Sequence, residues 1–239
     1  MLFRSPTPAQ AKTLKGCDSE ALYYGIGMAA DPVKARLCAF TEEDDEAGYF
    51  GGRALLMTIY ANGRGAARDL RTATHLACGL DGAPAEMDGR VLHLQQLKAG
   101  ETFSICDDVT SGYMGGQCAA HESRKAAAIR EVTLTTLAKA GGYAGAPDWI
   151  ALRRRLEAYA DAHGSGDIDL SGTLRGAMAL GAEEVVRNHF VEVLKALATN
   201  KVPAASQAAF AKADAELNRS YRAALKERSE EHTSELQSH

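Results

Sequence analysis

Residues 22–40, LYYGIGMAADPVKARLCAF, and residues 60–78, YANGRGAARDLRTATHLAC, carry one pattern 38 positions apart. Gly25 pairs with Gly63, Gly27 with Gly65, Ala29 with Ala67, Asp31 with Asp69, Ala35 with Ala73 and Ala39 with Ala77. Each copy reads as helix, GxG turn, helix. The glycines supply the positive φ that closes one helix and reverses the chain. Asp31 and Asp69 stand where a carboxylate can accept from the free amides of the next helix, and Pro32 at a first helical position fits the same start. The pattern predicts two helical hairpins, covered by a third helix over 84–98 through Met87, Val91, Leu94 and Leu97.

Outward from this module the helical signal continues. Cys118, Ala126, Ile129, Thr133 and Leu137 share one predicted helix face beyond a glycine-rich turn, and Gly141 and Gly142 stop that helix. Pro147 opens another, carrying Trp149, Leu152, Leu156 and Tyr159, and residues 161–172 read as the loop after it. Val186, Phe190, Val193, Leu194 and Leu197 mark the next helix. Phe210, Ala213, Leu217, Tyr221 and Leu225 mark the last. No strand pattern competes, so the expected fold class is all-α. A short helical-repeat, α-solenoid-like module fills residues 1–100, a helical bundle region 101–200 and a further helix 201–227. Residues 228–239, RSEEHTSELQSH, show no helical spacing and match the codon-by-codon translation of a short-read sequencing adapter. They read as a non-native tail on a fragment whose natural C-terminus and leader peptide are missing.

The 239 residues are 46% hydrophobic, enough to bury a core. No apolar run approaches the roughly 18 residues of a membrane-spanning helix. The net charge is −4, and because the tail holds one Arg and three Glu, the preceding 227 residues carry −2. That balance lacks the basic footprint of a nucleic-acid partner. Five cysteines are spaced without any CxxC. Cys106 and Cys118 flank the glycine-rich turn, and Cys17 and Cys38 sit at one end of an antiparallel helix pair, so each pair is a candidate bridge. A loop the size of the Cys106–Cys118 one stabilises by about 3 kcal/mol when closed. Cys78 reads as a small buried hydrophobe. Bridges imply work outside the reducing cytosol, in the periplasm or as a secreted protein.

No nucleophile elbow, phosphate loop or HExxH helix occurs, and the expectation is a protein without catalytic residues, metal or cofactor. Residues 161–172 have part of a calcium-loop pattern, but His163 and Gly172 stand where ligands belong. His75, His93, His121, His163 and His189 are scattered over different elements. The acidic run 41–46, TEEDDE, reads as a solvated linker. Asp214, Leu217, Asn218 and Tyr221 fall at i, i+3, i+4 and i+7, one helical face that serves either as a buried polar clamp or as a contact surface.

Tyr60, Gly63, Gly65, Asp69 and Ala73, with Gly25, Gly27, Asp31, Lys34 and Ala35, resemble Sel-one-like repeats, relatives of the tetratricopeptide arrays. The usual helix-B tryptophan is missing near Leu37 and His75, and only two units are present. Residues 208–226, with the D..LN..Y signature, and more loosely residues 101–197, where Cys106 and Cys118 precede a long helix, resemble the LprI-type lysozyme-inhibitor N-terminal domain. The two resemblances imply a periplasmic or secreted bacterial binding protein. Its implied partner is a protein, with a lysozyme the named candidate. The alternatives are a repeat scaffold for protein–protein contacts and, further off, an uncharacterised hydrolase.

Overall fold

Asp18, Asp31 and Asp69 each start a helix by the same chemistry, a carboxylate accepting from the amide three residues on: Ala21 at 2.8 Å, Lys34 at 3.0 Å and Thr72 at 3.0 Å. In the computed structural model, which describes residues 5–42, 48–166, 169, 171–201 and 206–237, the described residues form ten α-helices, a 3₁₀ turn at Gly48–Phe50 and no strand. The fold is all-α. Its helices are α1 (Pro8–Thr13), α2 (Ser19–Tyr24), α3 (Pro32–Ala39), α4 (Gly52–Asn62), α5 (Leu70–Ala77) and α6 (Pro84–Gln96). They continue as α7 (Gly112–Ala140), α8 (Pro147–Gly166), α9 (Arg175–Ala198) and α10 (Gln207–Gln237). By backbone proximity the chain divides into two units, Met1–Lys195 and Ala196–His239.

The two quoted stretches form hairpins with matching turns. Gly25 and Gly63 close α2 and α4 in the left-handed region, at φ 76° and 68°. The Asp31 amide then donates to Leu22 O at 2.7 Å, and the Asp69 amide donates to Tyr60 O at 2.9 Å, so the same two positions pin each turn. Gly27 and Gly65 also have positive φ. Gly65 has a second reason to lack a side chain, because a Cβ there would lie 2.3 Å from the Pro32 carbonyl oxygen. The second turn therefore rests against the backbone that starts α3.

Helix α4 is the centre of the core. Nine of its eleven residues are buried, including Leu55, Met57 and Ile59, and it contacts α2, α3, α5 and the 3₁₀ turn. A helix apolar on almost every side must be surrounded. The core around it runs from Leu14 to Met114 and takes in Leu94 and Leu97 as expected, with Val91 packed at its edge. Helix α6 also buries Glu86 and Arg90, which the apolar spacing did not predict.

Helices α7–α9 depart further from expectation. The glycine-rich segment before Cys118 lies inside α7, and Gly112 lets that helix begin against Thr173, whose carbonyl a Cβ would meet at 2.1 Å. Ile129, expected inward, is 70% exposed, while Met114, His121, Leu134 and Ala138 are the buried positions of α7. Residues 161–166, expected as loop, complete α8, and Leu152 and Tyr159 face outward there. Val193 and Leu197 are exposed on α9 as well. A small core of Leu134, Val191 and Leu194, flanked by Leu137, Trp149 and Phe190, joins these helices. Charged pairs supply the rest of the joint: Arg130 to Glu184 at 2.7 Å, Arg187 to Glu157 at 2.9 Å and Arg153 to Glu131. Helix α10 continues to Gln237, through the stretch that shows no helical spacing in the sequence.

Candidate functional site

The contact face singled out in the sequence lies on α10. Asp214, Leu217, Asn218 and Tyr221 are all exposed, Leu217 by 69% and Tyr221 by 62%. The buried-clamp alternative is thus overturned, and Asn218 Nδ2 donates within the helix, to Asp214 O at 2.9 Å. Phe210 and Leu225, on the same stripe, are exposed too. The result is a long amphipathic surface with aromatic and aliphatic groups one turn apart, flanked by Asp214 and Asn218.

The cysteines pair as proposed. Cys17 is bridged to Cys38 and Cys106 to Cys118, with Cα separations of 6.1 and 5.9 Å. The first bridge ties the segment before α2 to the end of α3. The second ties the 104–111 segment to the second turn of α7. Cys78 corrects the sequence reading: it is a free, exposed thiol at the C-terminal cap of α5.

Three polar arrangements were not anticipated. Glu42, part of the acidic run expected to be solvated, accepts from the amides of Ser19 and Gly52, each at 2.8 Å, and from the Ser19 hydroxyl. Ser19 and Gly52 are the first residues of α2 and α4, so one carboxylate neutralises two helix N-termini. Residues 43–46 of that run, and residues 167, 168 and 170 of the second loop-like stretch, lie outside the described residues.

Second, Glu20 of α2 meets α7. Its carboxylate bonds His121 Nδ1, and Arg124 Nη2 donates to both oxygens, at 2.6 and 3.0 Å. His121 is 2% exposed, stacked on Phe50 at 3.9 Å and edge-on to Tyr24 at 4.4 Å. Burial pushes the Glu20 pKa up, but the His121 and Arg124 bonds together outweigh it and hold it below the usual glutamate value.

Third, Glu86 of α6 accepts from the amides of Thr110 and Ser111 at 2.9 and 2.6 Å, just ahead of α7. Its burial also opposes ionisation, and the amide bonds again bring the pKa below the usual value. Nearby, His93 Nδ1 lies 3.0 Å from Asp108. Two histidine–carboxylate pairs therefore exist where sequence supplied none. Among the described residues no three His, Cys, Asp or Glu side chains converge on a point that could hold a metal.

Met114, Cys118 and His121 stand at i, i+4 and i+7, a stripe that would have revealed the buried face of α7 had histidine been admitted to it. Glu86 and Arg90 likewise precede Leu94 at intervals of four. Two surface depressions complete the description. An open cleft of about 800 Å³ lies beside the Cys17–Cys38 bridge. A groove of about 360 Å³ lies between the end of α3 and helices α4 and α5, lined by Phe40, Leu56, His75 and Leu76 among others. No described helix is long and apolar enough to cross a membrane. Comparison with family models, with curated proteins and with solved structures finds no match.

Proposed function

We propose that this chain is a binding protein of an oxidising compartment, the periplasm or the cell exterior, that recognises a protein through the exposed stripe of α10. The observation that carries the reading is the exposure of Leu217 and Tyr221 on a helix where Asp214 and Asn218 stand beside them. Tyrosines that become buried in a partner's pocket are among the side chains that supply most of the free energy of protein recognition, and Tyr221 is the group of this face suited to that role. The two bridges support the compartment, since a reducing cytosol does not maintain such bonds. The likeness of the D..LN..Y residues to lysozyme inhibitors makes a lysozyme the partner to test first. An inhibitor of that type works by occlusion of a cleft and needs no catalytic group of its own.

The test is a lysis assay in which cell-wall turbidity is followed with lysozymes of several types and the oxidised chain is added. Inhibition is expected with the native chain and should fall at least about tenfold with Leu217→Asp plus Tyr221→Asp, equivalent to about 1.4 kcal/mol. Full lytic activity of every lysozyme in the presence of excess chain would sink the inhibitor reading. The groove between α3, α4 and α5 favours a second reading, a scaffold that holds a partner on the hairpins. In that case His75→Glu weakens binding of the partner and the α10 variant leaves it unchanged.

A further inference from the structure

The stripe of α10 is complementary to itself. Phe210, Leu217, Tyr221 and Leu225 are exposed on it, and Ala213 lies exposed between the first two. Consider a second α10 laid antiparallel against the first, with the two-fold axis at Asn218. Each residue then stands level with the one equally far on the other side of Asn218. Tyr221 of the second copy falls midway between Ala213 and Leu217, where the small Ala213 leaves room for its ring. Leu225 of the second copy lies within about 1.5 Å of the level of Phe210, one residue's rise, and Leu217 meets its own counterpart across the axis. The charges fit the same arrangement. Glu216 has Lys212 and Arg219 one helical turn away, whereas Asp214 has no basic residue and Arg222 no acidic residue three or four positions away. Asp214 and Arg222 are both exposed, and they stand four positions before and four positions after Asn218 on one side of the stripe. An antiparallel pair therefore sets each Asp214 opposite the other copy's Arg222, twice over. A parallel pair would set like charges in line.

We infer that α10 covers its stripe with a second copy of this chain, as an antiparallel helix pair with Asn218 at the two-fold axis. The inference rests on the reading of this stripe as a protein-recognition face, and it names the partner that meets the face first: any other protein must displace the second copy. A two-fold contact needs one patch that complements itself, and the relations of Asp214 to Arg222 and of Ala213 to Tyr221 meet that need. Few side chains take part compared with the roughly 20–30 residues a side of a standard interface, so the dimer is weak and dissociates in the range of about 10–100 μM.

The test is sedimentation velocity on the full oxidised chain across about 5–500 μM. Cys78 is alkylated beforehand, so that no bond between chains forms there. A reversible monomer–dimer equilibrium is expected. Asp214→Arg or Arg222→Asp alone should weaken it about tenfold, equivalent to about 1.4 kcal/mol. An equimolar mixture of those two variants should regain the parent's affinity as a mixed dimer, because each chain then supplies the charge that the other needs. Leu217→Asp plus Tyr221→Asp should leave a monomer, and circular dichroism of each variant checks that its helices are kept. A monomeric parent throughout the range overturns the inference, as does a dimer that survives Leu217→Asp plus Tyr221→Asp. Single charge variants that pair as well as the parent overturn it too, since only the antiparallel arrangement loses its attraction in them. The lysis assay separates this inference from the function proposed above. A monomeric parent that inhibits lysozyme refutes the pairing alone, and a dimer with these variant effects that inhibits no lysozyme supports the pairing and refutes the inhibitor.

Discussion

Gly27 and Gly65 occupy the same place in the two hairpins, yet they answer to different constraints. Both have positive φ, a conformation that costs a non-glycine residue about 1–2 kcal/mol. A Cβ on Gly27 meets nothing within 4 Å, whereas one on Gly65 runs into the Pro32 carbonyl. Gly27→Ala should therefore cost about 1 kcal/mol and Gly65→Ala about 1–3 kcal/mol more, because a displaced backbone adds to the dihedral strain. Equal midpoints for the two variants in urea unfolding would contradict this account. The glycines themselves were legible as turn residues, since φ above zero leaves a compositional mark. The close approach to Pro32 was not, because it depends on how one hairpin seats against another. Cys78 shows the same limit: a lone cysteine carries no sequence mark of exposure. A maleimide added to the native oxidised protein should label one thiol per chain, and five after reduction in denaturant.

At the scale of elements, α7 is instructive because its stop was readable while its start and most of its inward face were not. Ile129 looked like a core residue by hydrophobicity alone. Cys118 packs against the core as expected, but beside it tertiary packing turned Met114 and His121 inward, since Glu20 and Arg124 give the buried imidazole a partner and a charge balance. Closing the loop between Cys106 and Cys118 stabilises the start of this helix by about 3 kcal/mol. Cys106→Ser plus Cys118→Ser should lower the unfolding free energy by about that amount in calorimetry or urea titration. Acid should loosen the same region. Glu20 and Glu86 have folded pKa values below their ordinary 4.5, so their stabilisation is full above that value and drains as the pH falls through the folded ones. Glu86→Gln removes the charge that Thr110 and Ser111 amides bind, costing about 2 kcal/mol at neutral pH and flattening the acid limb of a stability–pH curve. An unchanged acid limb would show that these carboxylates do not set it.

For the molecule as a whole, the all-α class and the order of helices were open to sequence reasoning, as were both bridges, because caps, stops and amphipathic spacing are local. What joins distant helices was hidden. Glu42 looked like one member of a soluble acidic run, and nothing in its neighbours signals that it serves the N-termini of α2 and α4. The α10 stripe was visible, but its exposure was not, since the same spacing suits a buried or an open face. Leu217→Asp plus Tyr221→Asp should therefore leave thermal unfolding of the Met1–Lys195 unit within about 0.5 kcal/mol of the parent, as substitutions at open surface positions do. A large fall in that transition would mean the stripe is structural. The seat of the Gly65 turn on Pro32 is a close approach of main chain, so the interval between the hairpins depends on the missing side chain at residue 65 and not on the outward residues around it. Outward residues nearby, Met28 and Val33 among them, can accordingly be rewritten for a different surface chemistry while the pitch of the pair stays the same.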